Sequence, residues 1–490
     1  MTDQLSARVF AKLYRDSVTL MALASAAQRI EGVVQVGAVM ATPANLAILR
    51  ESAMLPSEIT PAPDDLLIVV RAADERSAEE ALSLVEAGLT SAESAPGTVT
   101  EVRPATVREG LSRDDALTVA AVSTPGTYAP VVVEQALRSG LHVFCFSDNV
   151  PVEDEIRLKQ LAVSSGRLLM GPDCGTAVLD GVPLGFANVL RPGPVAIVAA
   201  SGTGAQEVSC LLDAAGIGVA QVIGVGGRDL TAEVGGLMTN LALDLVSADP
   251  EVAAVVLVSK PPAPAVAAQV LDRLASLGRP AVACLLGEDD TDGPVAVRGT
   301  LEGGAAAVAH LLGRALDLDE GPAAARGDRN PPTARGILGL YTGGTLAGET
   351  KVILRRAGVT AQVLDLGDDE YTAGRPHPMI DPAARADRVA AAGGQADIGL
   401  VLVDLVLGHG SADDPATPLA DAAARAIADA RADGRELWVI GSVCGTPADP
   451  QGRDGQRRIL EDAGILVFAS NAAAARFAAE LATSTAEVQK

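Results

Sequence analysis

One fragment, Gly-Thr-x-x-x-Glu, occurs twice in this chain, and each copy follows an apolar run and opens a helical pattern. The first copy is Gly202, Thr203 and Glu207; the second is Gly344, Thr345 and Glu349. A constant 142 residues separates the paired members, and the same offset carries Gly216 onto Gly358. A strand that turns through glycine into a helix belongs to parallel α/β architecture, so two copies predict two such units. They also predict two helix N-termini able to hold an anion between them. Free N–H groups at a helix start, together with the macrodipole, favour phosphate or carboxylate. The bland alternative is that glycine only serves a tight turn and that Glu207 and Glu349 are first-turn partners of the dipole.

Composition agrees with this architecture. The 490 residues are 48% hydrophobic but only 2% aromatic, so cores must be built from Ala, Val, Leu and Ile, as in the apolar strands of parallel sheets. A chain of this length holds roughly three or four domains. Its formal charge of −24 argues against a nucleic-acid partner, whose backbone is gripped by Lys and Arg. A local cluster of N–H dipoles can still override net charge for a small anion. Cys145, Cys174, Cys210, Cys284 and Cys444 include no C-x-x-C pair and read as reduced thiols. Met1–Ser17 lacks an apolar signal core. The apolar stretch Ile398–Leu407 is cut by Asp404 and too short to span a bilayer. No membrane association is expected, and the expected location is cytoplasmic.

Along the chain, residues 1–112 carry two strand signals, Val33–Val39 and Leu66–Arg71, among helical stretches, and form a small α+β N-terminal domain. Residues 113–190 alternate strand and helix as half of a doubly wound, Rossmann-like fold. Residues 191–317 give strands at 195–199, 219–223, 253–258 and 281–286 with helices between. The helix after Ser201 shows a stripe at Val208, Leu211, Leu212 and Ala215, and Gly216 suits its C′ position. Residues 318–335, rich in Ala, Gly and Pro, read as a linker. Residues 336–490 repeat the scheme, with a long loop at 366–382.

Pro172-Asp173-Cys174, the run Val195–Glu207 and Val222–Asp229 resemble the α subunit of succinyl-CoA synthetase; residues 336–490 resemble the C-terminal domain of its β subunit. The chain is similar throughout to the FdrA family, which fuses these parts, with Leu237-Met238, Ser259–Val266 and Gly374–Pro382 as its specific-looking segments. The resemblance implies a CoA-binding-like domain at 113–190 and flavodoxin-like succinyl-CoA synthetase-type domains at 191–317 and 336–490. It implies an activity like oxamate carbamoyltransferase: oxalurate plus phosphate giving oxamate plus carbamoyl phosphate, with further protein subunits. The departures matter. The stretch Val297–Gly304, where the synthetases carry a phosphate-shuttling histidine, contains none, and Lys260 stands where they place the glutamate that steadies it. No ATP-grasp domain lies between the two ligase-like units, and the glycine loop that opens the family's CoA-binding domain is missing, which counts against CoA. The alternatives are an acyl-CoA synthetase subunit that depends on a separate ATP-grasp chain, and a non-catalytic scaffold.

The candidate anion cradle is therefore Ser201, Gly202, Thr203, Gly343, Gly344 and Thr345, with Arg228 adding charge; for Arg228 a loop ion pair with Asp229 is the alternative. Lys260 ends an apolar strand, where open parallel sheets bind ligands, or is simply solvated. In the 366–382 loop, His377 offers an acid or base for a carbamoyl nitrogen and Arg375 a bidentate grip on a carboxylate; a rigid structural loop is the alternative. The ligands expected are carbamoyl phosphate or another small acyl phosphate and a ureido or oxo acid. His409 lies at a strand end, between glycines; His142 and His310 read as structural, and so does Cys174. No metal ligands are assigned: the runs Asp413-Asp414 and Asp368-Asp369-Glu370 offer oxygens to Mg²⁺ or form solvated faces.

Overall fold

The 142-residue repeat of the sequence is a repeat of topology. The computed structural model describes residues 4–15, 17–56, 59–91, 104–318, 332, 334, 336–372 and 376–487. It divides into two units: Met1–Arg103 with Asp369–His377, and Pro104–Asp368 with Pro378–Lys490.

The first unit contains β1 (Gln4–Phe10), α1 (Ser17–Gln28), β2 (Val33–Met40), α2 (Pro43–Glu51), β3 (Leu66–Ala72) and α3 (Glu75–Ser91). Its sheet is antiparallel, in the order β1-β3-β2. Central β3 is buried from Leu66 to Val70 and carries the apolar run that announced it. Strand β1 was not expected, because none of its residues is fully buried and no apolar run marks it.

The second unit opens with α4 (Val107–Arg113), β4 (Val119–Val122), α5 (Ala129–Arg138), β5 (His142–Cys145), α6 (Val152–Ser165) and β6 (Leu169–Met170). Strands β4-β5-β6 form a three-stranded parallel sheet, the expected half of a doubly wound fold. A hairpin follows, β7 (Thr176–Leu179) and β8 (Val182–Gly185). It pairs through Val178 with Val222 in the next sheet, so the tail of 113–190 completes the first repeat. Cys174 donates to the Thr176 carbonyl at 3.4 Å, and burial pushes its thiol up to about 12, as suits a structural cysteine.

The first repeat runs β9 (Val195–Ala199), α7 (Gly202–Ala214), β10 (Val219–Gly224), α8 (Leu237–Ala248), β11 (Ala254–Ser259), α9 (Pro264–Ala275), β12 (Ala281–Leu285), β13 (Ala296–Arg298) and α10 (Leu301–Leu311). The second runs β14 (Gly336–Tyr341), α11 (Gly344–Arg356), β15 (Gln362–Asp365), then, after α12 (Asp369–Thr372), which groups with the first unit, α13 (Ala383–Ala391), β16 (Ile398–Val406), α14 (Ala416–Ala432), β17 (Trp438–Cys444), α15 (Arg453–Asp462), β18 (Leu466–Phe468) and α16 (Asn471–Glu487). The parallel strands order as β10-β9-β11-β12-β13 and β15-β14-β16-β17-β18. Both are the flavodoxin-like order, which puts each glycine turn at its sheet's switch point. Gly216 and Gly358 end α7 and α11 with φ of 73° and 72°, a left-handed conformation that glycine adopts without steric cost.

One apolar core joins the repeats, with Ile197, Val208 and Val258 from the first and Leu346, Leu402 and Phe477 from the second. Helix α7 is buried on every side from Gly204 to Asp213, rather than on the stripe its periodicity predicted. A helix buried all round lies between two layers: α7 packs against its own sheet and also meets α10 and α11.

Candidate functional site

Each glycine turn ends a central buried strand, β9 or β14, and starts a helix. The two turns face one another. Ser201 caps α7 by accepting from the Gly204 N–H at 3.1 Å, and its hydroxyl lies 2.6 Å from that of Thr345. The Thr345 N–H donates to Thr203 Oγ1 at 3.3 Å. A Cβ on Gly343 would stand 3.1 Å from Thr203 Cβ, and one on Gly204 3.0 Å from Thr345 Cγ2. The small residues of the motif therefore let two helix starts touch. Ser201 and Thr345 spend their hydroxyls on each other and are buried.

The second turn already holds an anion of the protein's own. Asp404, fully buried in β16, accepts from Gly343 N–H at 2.7 Å, Thr342 N–H at 2.8 Å and the Thr342 hydroxyl at 3.1 Å. Arg385 pairs with it at 3.0 Å and is itself buried. Burial pushes the Asp404 carboxyl up, against the opposing pull of Arg385 and these donors. Gly343 is thus corrected from an anion donor to a partner of Asp404. The sequence signal for Asp404 was present, as one carboxylate within a nine-residue strand that is otherwise apolar or glycine, but that position had served only to exclude a membrane span.

What stays open is narrower than the six-residue cradle. The N–H groups of Gly202, Thr203 and Gly344 have no hydrogen-bond partner among the described residues, and all three residues are partly exposed. Lys260, exposed, follows the end of β11 as expected. Asp365 ends β15 and accepts from the Gly367 N–H at 3.0 Å; a Cβ on Gly344 would collide with its Oδ2. Burial raises the Asp365 carboxyl and the Lys260 charge pulls it back, so the opening presents donors, one cation and one acceptor.

Other candidates lie elsewhere. Arg228 donates to the Val150 carbonyl and forms an ion pair with Glu155, each at 2.8 Å. Glu155 also pairs with Lys159 at 2.8 Å, and Lys159 with Asp229 at 2.7 Å. Asp229 in turn accepts from Met238 and Thr239 at the start of α8. Arg228 is therefore corrected from a phosphate ligand to the partly exposed outer member of an ionic cluster whose Glu155, Lys159 and Asp229 are buried and dock α6 on α8. His377 groups with the first unit, not the one carrying the turns, and burial lowers it to about 4, so its imidazole is neutral at pH 7. Arg375 lies outside the described residues. His142 accepts from the Leu168 N–H at 3.0 Å, a structural role. His409 is exposed, with its backbone bridged to Ala187. Asp414 accepts from the Thr417 N–H and from Gln456, both at 3.2 Å, which is a helix cap.

The two motif glutamates sit deeper. Glu207 accepts from the Asn471 N–H at 3.1 Å, and Glu349 accepts from Leu301 N–H at 2.6 Å and Asn471 Nδ2 at 2.7 Å. Each caps the last helix of the other repeat. Residues 297–304, histidine-free, are the end of β13 and the capped start of α10.

Comparison with known proteins adds the following. Residues 340–481 match the CoA-ligase family, and residues 1–104 match a family described as AllF, heavy metal-associated domain. That N-terminal segment has neither cysteine nor histidine. Among the described residues no group of three or more His, Cys, Asp or Glu could hold a metal ion, so its residues do not fit the metal that the description implies. No described helix is long and apolar enough to cross a membrane. The "Uncharacterized protein YahF" of Escherichia coli (strain K12) is 37% identical over 94% of this chain and 95% of its own length. The ADP-forming sulfoacetate-CoA ligase subunit SauD of Bilophila wadsworthia is 30% identical over 31% of this chain and 53% of that subunit. Succinate–CoA ligase subunit alpha 2 of Archaeoglobus fulgidus is 30% identical over 25% of this chain and 43% of its own length. With one relative matched nearly end to end and a CoA-ligase domain in the second repeat, the chain belongs to the FdrA family of succinyl-CoA-synthetase-like proteins.

Proposed function

We propose that this chain is the phosphate-holding subunit of a carbamoyltransferase of the oxamate carbamoyltransferase type, working with further subunits. The observation that carries this is the pair of touching helix starts with the N–H groups of Gly202, Thr203 and Gly344 unclaimed among the described residues, beside Lys260. Carbamoyl transfer breaks the bond between the carbamoyl carbon and the phosphate oxygen and forms one to the acceptor nitrogen. Charge grows on the departing phosphate, where fixed N–H dipoles and a lysine stabilise it. The histidine-free stretch 297–304 suits a phosphate that is held and never carried covalently.

Titration calorimetry with phosphate and carbamoyl phosphate, followed by co-purification and assay of phosphorolysis of oxalurate, tests this reading. Binding of both ligands and release of carbamoyl phosphate support it; binding of neither leaves a scaffold. A second reading is favoured by the CoA-ligase match over residues 340–481: a ligase subunit that needs a separate ATP-grasp chain. Acid-labile label on this chain from ATP carrying γ-³²P would select the ligase.

A further inference from the structure

Glu207 and Glu349 lie four residues beyond Thr203 and Thr345, about 6 Å further along their helices at 1.5 Å per residue. Both are buried, at 3% and 1% exposure, and one residue joins them: Asn471, at 1%. The Asn471 backbone N–H donates to Glu207, while its side-chain amide donates to Glu349 and to the Leu346 carbonyl at 3.0 Å. Glu207, on the first repeat, thereby fixes the start of α16; Glu349, on the second, fixes the start of α10 through Leu301. This reciprocal capping ties the two repeats together about one helical turn behind the contact between the glycine turns.

We propose that Asn471, Glu207 and Glu349 form a positioning clasp that holds the glycine turns at binding distance and takes up a proton when an anion binds there. The inference rests on the anion-holding reading above. Burial pushes both carboxyls up to about 7, so near neutral pH the clasp is partly protonated. Every ionisable neighbour with charge is either negative or already paired. Glu302 on α10 is paired with Arg476 and bonded by Ser470, and Asp404 on β16 is paired with Arg385. Cys444 on β17 is held neutral by its contact with Cys210 and by burial, and Cys210 on α7, Cys284 on β12 and Tyr341 on β14 by burial. Added negative charge one helical turn away makes a second carboxylate costlier, and the pair answers by binding a proton.

Sulfate is the probe, because it stays a tetrahedral dianion from pH 6 to 8. Calorimetry of the full chain in buffers of differing ionisation enthalpy should show uptake of a fraction of a proton at pH 7. Affinity should fall several-fold from pH 6 to 8. Glu349→Gln, which keeps an amide oxygen for the Leu301 N–H but cannot titrate, should flatten both effects, whatever affinity for sulfate it retains. If that variant does not fold, Glu207→Gln, which keeps an acceptor for the Asn471 N–H, carries the comparison; if neither folds, proton uptake by the unmodified chain decides. Sulfate binding with no proton uptake and no change with pH overturns the clasp and leaves the anion-holding reading standing. No binding of sulfate or phosphate at any pH overturns that reading and the clasp with it.

Discussion

Asp404 and Lys260 show how differently a charge behaves at the two depths of this site. Asp404 answers two backbone N–H groups and a buried guanidinium, all out of water. Asp404→Ala leaves Arg385 buried and unpaired, and a loss of about 3–5 kcal/mol is expected in urea unfolding. Asp404→Asn keeps an acceptor and should lose less. Lys260 is exposed at its strand end, so Lys260→Ala should leave the unfolding midpoint within error. It should weaken phosphate binding about tenfold, the worth of one charge-assisted hydrogen bond; unchanged affinity would remove Lys260 from the site. The strand end of Lys260 could be read from the apolar run before it. The grip of Asp404 on the second turn could not, because its partners lie 19 and 61–62 residues away.

At the level of elements, the site is a contact between helix starts, and it depends on the absence of side-chain volume. Gly204→Ala tests this. Alanine gains about 1 kcal/mol of helix propensity over glycine. Its Cβ, however, would collide with Ser201 Oγ and lie 3.0 Å from both Thr345 Cγ2 and Val258 Cγ1. Overpacking of this kind costs about 1–3 kcal/mol, so it should outweigh the propensity gain. A lower unfolding temperature and loss of phosphate binding are expected; a stabilised variant that binds normally would show that the turns need not touch. Helix α15 illustrates what pattern alone misses. Of its ten residues only Gln456 and Leu460 are buried, and Ile459 and Leu460 are the only large apolar ones, so too few apolar residues mark it for a core-facing helix to be read from the sequence.

For the molecule as a whole, the clasp predicts an unusual response to pH. Glu207 and Glu349 have folded-state values near 7, against 4.5 for an ordinary glutamate, so between about pH 5 and 7 the native state binds more protons than the unfolded one. Their contribution to stability is therefore full at the acid end and is lost as pH rises through 7. Urea midpoints from pH 5 to 8 should fall more steeply for the unmodified chain than for Glu349→Gln; parallel curves would mean that these carboxyls do not titrate in that window. The sequence by itself determined the two parallel sheets, their glycine turns and the half-sheet before them. Each of these is written locally, in apolar runs of strand length, in glycines where the backbone turns, and in a fixed 142-residue offset. Tertiary structure alone decided that the opposed turns approach until Ser201 and Thr345 bond each other, that Asp404 occupies one of them, that Arg228 belongs to an ionic cluster, and that the motif glutamates cap helices of the opposite repeat. Such facts depend on which distant groups are buried together, because a carboxylate removed from water must find donors wherever the fold supplies them.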